Sequence, residues 1–198
     1  MKMNLPNKLT ILRVLMIPFF TVFMLLSVRG GEIAALRAAL PGDFRMWRYL
    51  SLFFFCAASF TDYLDGQIAR KQGLVTNFGK FMDPLADKLL VCTALVLLTA
   101  EGSLEPVMVI VIIAREFIIS GFRLVAADNG IVIAASWWGK FKTVSQMLLC
   151  IVLISPGLPG LIGEVPVTVL KAVVLILTIV SLVDYMKKNI QVITNGGM

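Results

Sequence analysis

Apolar residues gather in six long runs, at about residues 9–28, 49–69, 82–100, 104–126, 137–155 and 165–186. Each run comes close to the roughly 20 mostly apolar residues that one helix needs to cross a bilayer. The pattern predicts an all-α, polytopic membrane protein with six transmembrane helices and one domain over 1–198. No internal repeat or low-complexity tract interrupts it. No small-residue cleavage site follows the first run, so that run reads as a retained helix rather than a signal peptide. The polar interruptions are few and placed. Arg13 and Pro18 fall in the first run, and Asp62 and Asp65 near the end of the second. Asp83, Asp87 and Lys88 open the third, while the pair Arg115–Glu116 and then Arg123 fall in the fourth. The fifth run follows the segment GKFK.

Composition agrees with this picture. Hydrophobic residues make up 59% of the 198 and charged residues only 15%, against about 25% charged in a soluble domain. Six helices use about 120 residues, which leaves too little chain for a second soluble domain of ordinary size. The sequence has no histidine, which excludes Ser-His-Asp and Cys-His catalysis, histidine zinc sites and histidine proton relays. Cys56, Cys92 and Cys150 lie far apart in apolar runs and form no CxxC pair, so zinc-ribbon and thioredoxin-like motifs are excluded as well. The net charge of +6 suits contact with anionic lipid. No basic tract interleaved with aromatics points to nucleic acid.

Lysine and arginine also set a direction across the membrane. With six spans both ends lie on one side, together with Lys2, Lys8, Arg70, Lys71, Lys80, Lys140, Lys142, Lys187 and Lys188. The loops 101–105 and 156–164 on the other side carry no Lys or Arg. Both termini are therefore expected in the cytoplasm. Arg29, Arg37, Arg45 and Arg48 go against this bias, and the stretch 32–50 is expected to lie on the membrane surface as an amphipathic segment.

The acidic residues call for a chemical reason. Four of the twelve fall within 62–87, at the ends of two apolar helices. A carboxylate at a helix centre in the membrane costs roughly 2.5–3.5 kcal/mol, and less near the interface. Asp62 and Asp65 are three apart and Asp83 and Asp87 four apart, so each pair shares a helix face. A hairpin through 70–80 brings the two faces together. Two unit charges about 6 Å apart repel by roughly 3 kcal/mol at an effective dielectric of 20, so protons or cations must neutralise the group. All-oxygen ligands select hard cations such as Mg²⁺, Mn²⁺ or Ca²⁺, and four carboxylates suit the two-metal clamp of a phosphoryl displacement. Pairing with Arg70, Lys80 and Lys88 is the competing account, and it leaves the two same-face pairs unexplained. Gly66 costs about 1 kcal/mol inside a helix, and with Ala69 it provides room for a packed helix or for a ligand beside the carboxylates. Arg70 can balance a phosphate charge.

Residues 62–88 read DYLDGQIARKQGLVTNFGKFMDPLADK. This resembles the signature of the CDP-alcohol phosphatidyltransferase family, D-x2-D-G-x2-A-R-x8-G-x3-D-x3-D, and all eight fixed positions match. The segments NLPNKLTILRVLMIPFF, AREFIISGFRLVAA and AASWWGKFKTVSQM resemble the bacterial branch of that family that uses glycerol 3-phosphate. The resemblance implies six transmembrane helices, usually in a homodimer, in the bacterial cytoplasmic membrane with the active site open to the cytoplasm. It implies transfer of a phosphatidyl group from CDP-diacylglycerol to sn-glycerol 3-phosphate, with CMP released. Asp62, Asp65, Asp83 and Asp87 would hold two divalent ions, Mg²⁺ or Mn²⁺, with Asp87 as general base. Gly66, Arg70 and Thr76 would line the CDP-diacylglycerol site, and Ala69 and Gly79 would give it room.

The acceptor's own phosphate needs cations of its own. Arg115, Arg123, Lys140 and Lys142 are the candidates. For Arg115 the competing account is pairing with Glu116 or an aspartate, and for the lysines it is contact with lipid headgroups. The signature is shared by enzymes with other acceptors, such as inositol phosphate, serine or a lipid, and only the flanking segments point to glycerol 3-phosphate. A cation transporter is the alternative of another class, but the carboxylates cluster on one hairpin rather than near the midplane of several helices.

Overall fold

The computed structural model describes the main chain of residues 5–28, 43–72, 77–128, 133 and 136–195, and the side chains of 8–28, 43–61, 85–86, 88–127, 133 and 136–189. Among these residues the fold is all-α. The helices are α1 (Leu5–Ser27), α2 (Phe44–Gln72), α3 (Asn77–Ala100), α4 (Pro106–Asp128), α5 (Trp137–Ile154), α6 (Leu158–Ile162) and α7 (Glu164–Asn195). Helices cover five of the six apolar runs to within a few residues of their ends, and the sixth, α7, runs on to Asn195. The five-residue α6 stands where a loop was expected. It sits between Gly157 and Gly163, whose φ angles of +81° and +86° are the left-handed turns that glycine takes without strain.

The chain forms two compact units, Met1–Ser103 with Ile151–Leu158, and Leu104–Cys150 with Pro159–Met198. In the first, α1 packs on both α2 and α3. Phe20 meets Phe55 at 5.7 Å and Phe23 meets Trp47 at 5.8 Å between ring centroids, so α1 and α2 run antiparallel. Thr10, Arg13, Ile17, Phe20, Met24 and Ser27 form a buried stripe on α1 at spacings of three and four, flanked by the buried Met16 and Leu26. Leu12, Leu15, Phe19 and Val22 lie on the opposite side and are about half exposed, at 47–57%. The arrangement is inverted relative to a water-soluble helix, with an arginine inside and leucines outside. Lipid satisfies an outer face of this kind, and water does not.

In the second unit α4 packs on α7. Glu105 pairs with Lys171 and Arg115 bonds Ser181, at equal sequence separation, so these two helices run parallel. The inner face of α7 carries Val174, Thr178, Ser181 and Tyr185, whereas Val165, Val169, Val173, Ile176, Ile179 and Val183 face out. Lys8–Ser27 and Glu164–Asn189, with mean hydropathies of 2.3 and 2.4, are long and apolar enough to cross a membrane.

Arg48 departs from expectation. Residues 29–42 lie outside the described residues, but 44–50 form the start of α2, and Arg48 is buried there. Its guanidinium grips Glu101 by two bonds of 2.5 and 2.8 Å. It also donates to the carbonyls of Leu153 and Ile154 at 2.7 and 2.8 Å and reaches Ser27 Oγ at 3.5 Å. The two carbonyls belong to the last turn of α5, where no intrahelical partner exists. Glu101 is set in place by the end of α3. Gly102, at φ +81°, turns the chain so that its N–H bonds Thr99 O and that of Ser103 bonds Leu98 O, a Schellman ending. Ser103 Oγ then donates to Glu101 Oε1 at 2.7 Å.

Candidate functional site

The signature occupies the other end of the α2–α3 pair. Asp62, Asp65, Gly66, Ala69 and Arg70 lie on the last three turns of α2, and Gly79, Asp83 and Asp87 on the first three turns of α3. Thr76 lies outside the described residues, as do the side chains of the other eight. The helical backbone is unbroken through all four aspartates, so each pair keeps its common face.

Register follows from the far end. Arg48 and Glu101 meet across the pair, and two packed helices joined by four residues run antiparallel. Asp62 lies fourteen residues on from Arg48, and Asp87 fourteen back from Glu101. The two are therefore at one level, with Asp65 and Asp83 together about a turn nearer the connection. The faces match as well. The buried series Arg48, Ser51, Phe55 and Ala58 reaches 62 and 65 at the same spacing. The buried series Leu98, Ala94 and Leu90 reaches back to 87 and 83. The four carboxylate-bearing positions thus continue the buried faces of α2 and α3 by helical spacing. The donor set is anionic and all oxygen, which fits hard divalent cations rather than zinc or copper.

The second cluster lies on α4, α5 and α7. Arg115 and Lys142 are both buried, at 7% and 2% exposure. Each contacts the same oxygen, Glu116 Oε1, with Arg115 Nη1 at 3.1 Å and Lys142 Nζ beside it. Arg115 Nε donates to Ser181 Oγ at 3.1 Å. Gly139 of α5 lies beside the guanidinium, where a methyl group would stand in ordinary contact 3.4 Å from Arg115 Nη2. Two buried cations share one carboxylate oxygen here. Arg123 lies one helical stretch further along α4, its Cζ 5.9 Å from the centre of the Tyr185 ring. Lys140 is exposed and sits 4.4 Å from the Trp137 ring. Of the four candidate acceptor cations the structure therefore brings Arg115 and Lys142 together. It holds Arg123 on the same α4–α7 contact and leaves Lys140 at the surface. The pairing of Arg115 with Glu116 is realised, and Lys142 joins it. Sequence spacing gave no signal for this second partner, because residues 116 and 142 are on different helices.

A model of the CDP-alcohol phosphatidyltransferase family matches residues 3–184. A Bacillus subtilis protein named CDP-diacylglycerol--glycerol-3-phosphate 3-phosphatidyltransferase is 42% identical over 187 residues, which cover 94% of this chain and 95% of that protein. A Haemophilus influenzae protein of the same name is 36% identical over 197 residues, covering 94% of each. One from Rickettsia typhi is 39% identical over 151 residues, covering 76% of each.

Proposed function

The chain belongs to the CDP-alcohol phosphatidyltransferase family, and on that premise we propose that it transfers the phosphatidyl group of CDP-diacylglycerol to sn-glycerol 3-phosphate, forming phosphatidylglycerophosphate and CMP. The observation that supports this reading is that Asp62 and Asp65 end α2 and Asp83 and Asp87 begin α3, each pair on one face of an unbroken helix. The names of the relatives support glycerol 3-phosphate as acceptor.

The four aspartates would hold two divalent ions, Mg²⁺ or Mn²⁺, which would supply positive charge to offset that of the donor pyrophosphate and of the departing CMP. Asp87 takes the proton of the acceptor hydroxyl. That oxygen forms a bond to the phosphorus bearing diacylglycerol, and the bond from this phosphorus to the CMP oxygen breaks, with the electron pair leaving on CMP. Arg70 and Thr76 bind the donor. Gly66, Ala69 and Gly79 keep side chains out of its path. Replacing Gly66 with leucine should abolish CDP-diacylglycerol binding, measured directly, in a protein that still melts normally. Unchanged donor affinity would assign Gly66 to helix packing instead.

Arg115 and Lys142, with Arg123 and Lys140, hold the acceptor phosphate. Arg115→Ala and Lys142→Ala should raise the acceptor KM by about tenfold or more with the donor KM little changed, the mark of lost ground-state binding. Arg123→Ala and Lys140→Ala should act in the same direction and less, since neither is buried in the shared cluster. Wild-type acceptor KM in all four variants would move the phosphate pocket elsewhere.

The domain spans the whole chain in six crossings of the bacterial cytoplasmic membrane, with both termini and the site facing the cytoplasm, and works as a homodimer among membrane lipids. The outward apolar series of α1 and α7 supports the crossings. The parallel course of α4 and α7 suits spans four and six. The test of function is CMP release by the purified protein from CDP-diacylglycerol with glycerol 3-phosphate, inositol phosphate, serine or no acceptor. Release confined to glycerol 3-phosphate is expected, and equal release with another acceptor would reassign the substrate.

A further inference from the structure

Tyr185 is 3% exposed, and its hydroxyl makes no hydrogen bond. Buried polar groups are almost always paired, and an unpaired one destabilises the fold. A phenylalanine would fill the same space without that penalty, so the hydroxyl calls for a function. Its surroundings suggest which. The ring packs edge-on against Phe122 of α4 at 6.3 Å, and the Arg123 guanidinium lies over it at 5.9 Å. One turn earlier on the same face of α7, Ser181 accepts the bond from Arg115 Nε. The Tyr185 ring thus sits on the α4–α7 contact that carries two of the candidate phosphate-binding arginines. The neighbouring Asp184 has one oxygen bonded to Lys188 at 2.7 Å and the other buried without a partner. Its charge is offset by that lysine.

We propose that the Tyr185 hydroxyl is a ligand of the acceptor, donating a hydrogen bond to a phosphate oxygen of glycerol 3-phosphate. This rests on the reading that Arg115 and Lys142 hold that phosphate. A tyrosine O–H serves an anion in a way a further cation would not, since it adds a directed donor without adding charge to a buried cluster that already holds two cations.

Tyr185→Phe removes the one atom in question. The variant should melt at or above the wild-type temperature in detergent. Its KM for glycerol 3-phosphate should rise about tenfold, with the CDP-diacylglycerol KM unchanged. The thermal stabilisation conferred by glycerol 3-phosphate, and by inorganic phosphate, should shrink in parallel, and this readout does not depend on turnover. A wild-type acceptor KM with undiminished phosphate stabilisation would overturn the inference while leaving the proposed reaction in place. A marked drop in melting temperature would also overturn it, by revealing a structural partner for the hydroxyl. If the wild-type protein releases CMP without regard to glycerol 3-phosphate, the reaction and the inference fail together.

Discussion

Changing any one of Asp62, Asp65, Asp83 or Asp87 to asparagine should lower glycerol 3-phosphate-dependent CMP release by at least about a hundredfold, equivalent to about 2.7 kcal/mol in the barrier. The substitution keeps the shape of the side chain and removes its charge. Each loss takes one anionic oxygen donor from a set of four shared by two ions, so no position is expected to be spared. The Asp87 variant should be the slowest, because it also loses the group that accepts the acceptor's proton. Chelation should act on the wild type in the same way, and added Mg²⁺ or Mn²⁺ should restore activity. The four variants should melt no lower than the wild type in metal-free buffer. Relieving the repulsion among facing carboxylates offsets whatever pairing each one loses. Full activity in excess chelator would overturn the two-ion reading, and near-normal rates in two of the four variants would require a different ligand set.

How much of this was legible in the sequence depends on the range of each interaction. The helices were legible, because long apolar runs impose them locally. So were the aspartate pairs, because a spacing of three or four fixes a common helix face without knowledge of the rest of the chain. The relative level of the two pairs along α2 and α3 was not legible from that spacing alone. It follows from the contact of Arg48 with Glu101, residues 53 apart. Arg48 itself was assigned to the membrane surface because its partners are remote. The carbonyls it caps lie more than a hundred residues away, and backbone groups leave no trace in a pattern of side chains. Adjacency in the chain pairs Glu116 with Arg115 alone, although it also serves Lys142 from another helix. Tyr185 is a lone tyrosine in an apolar run and carries no periodic signal. Hydropathy alone likewise singles out just α1 and α7 as long spans among the described helices. Of the helices between them, α4 carries Arg115, Glu116 and Arg123 and α5 carries Lys140 and Lys142, and these charges dilute their apolar signal.

Arg48→Met should destabilise the protein by about 3–5 kcal/mol, the usual cost of leaving one partner of a buried ion pair alone. The reasoning starts from donor count. A guanidinium has five N–H groups, and here they go to two oxygens of Glu101, two carbonyls of α5 and the Ser27 hydroxyl. Methionine fills much of the volume and supplies none of these bonds. Glu101 would keep its charge at 10% side-chain exposure, and the last carbonyls of α5 would lose their cap. Lysine should recover only part of the loss, because a single ammonium cannot reproduce the planar fork that meets a carboxylate and two carbonyls together. Glu101→Leu alone should be nearly as damaging, since it strands the arginine. Combining Arg48→Met with Glu101→Leu should cost distinctly less than the two single changes added together, because no buried charge then remains. Thermal or denaturant unfolding in detergent reads all four proteins. Arg48 lies about 21 Å along α2 from Asp62, so the folded fraction of each variant should retain both substrate KM values. A strictly additive double variant, or an Arg48→Met protein as stable as the wild type, would mean that the clamp contributes nothing net. A raised substrate KM would show instead that the register set by Arg48 and Glu101 is needed to hold Asp62 level with Asp87.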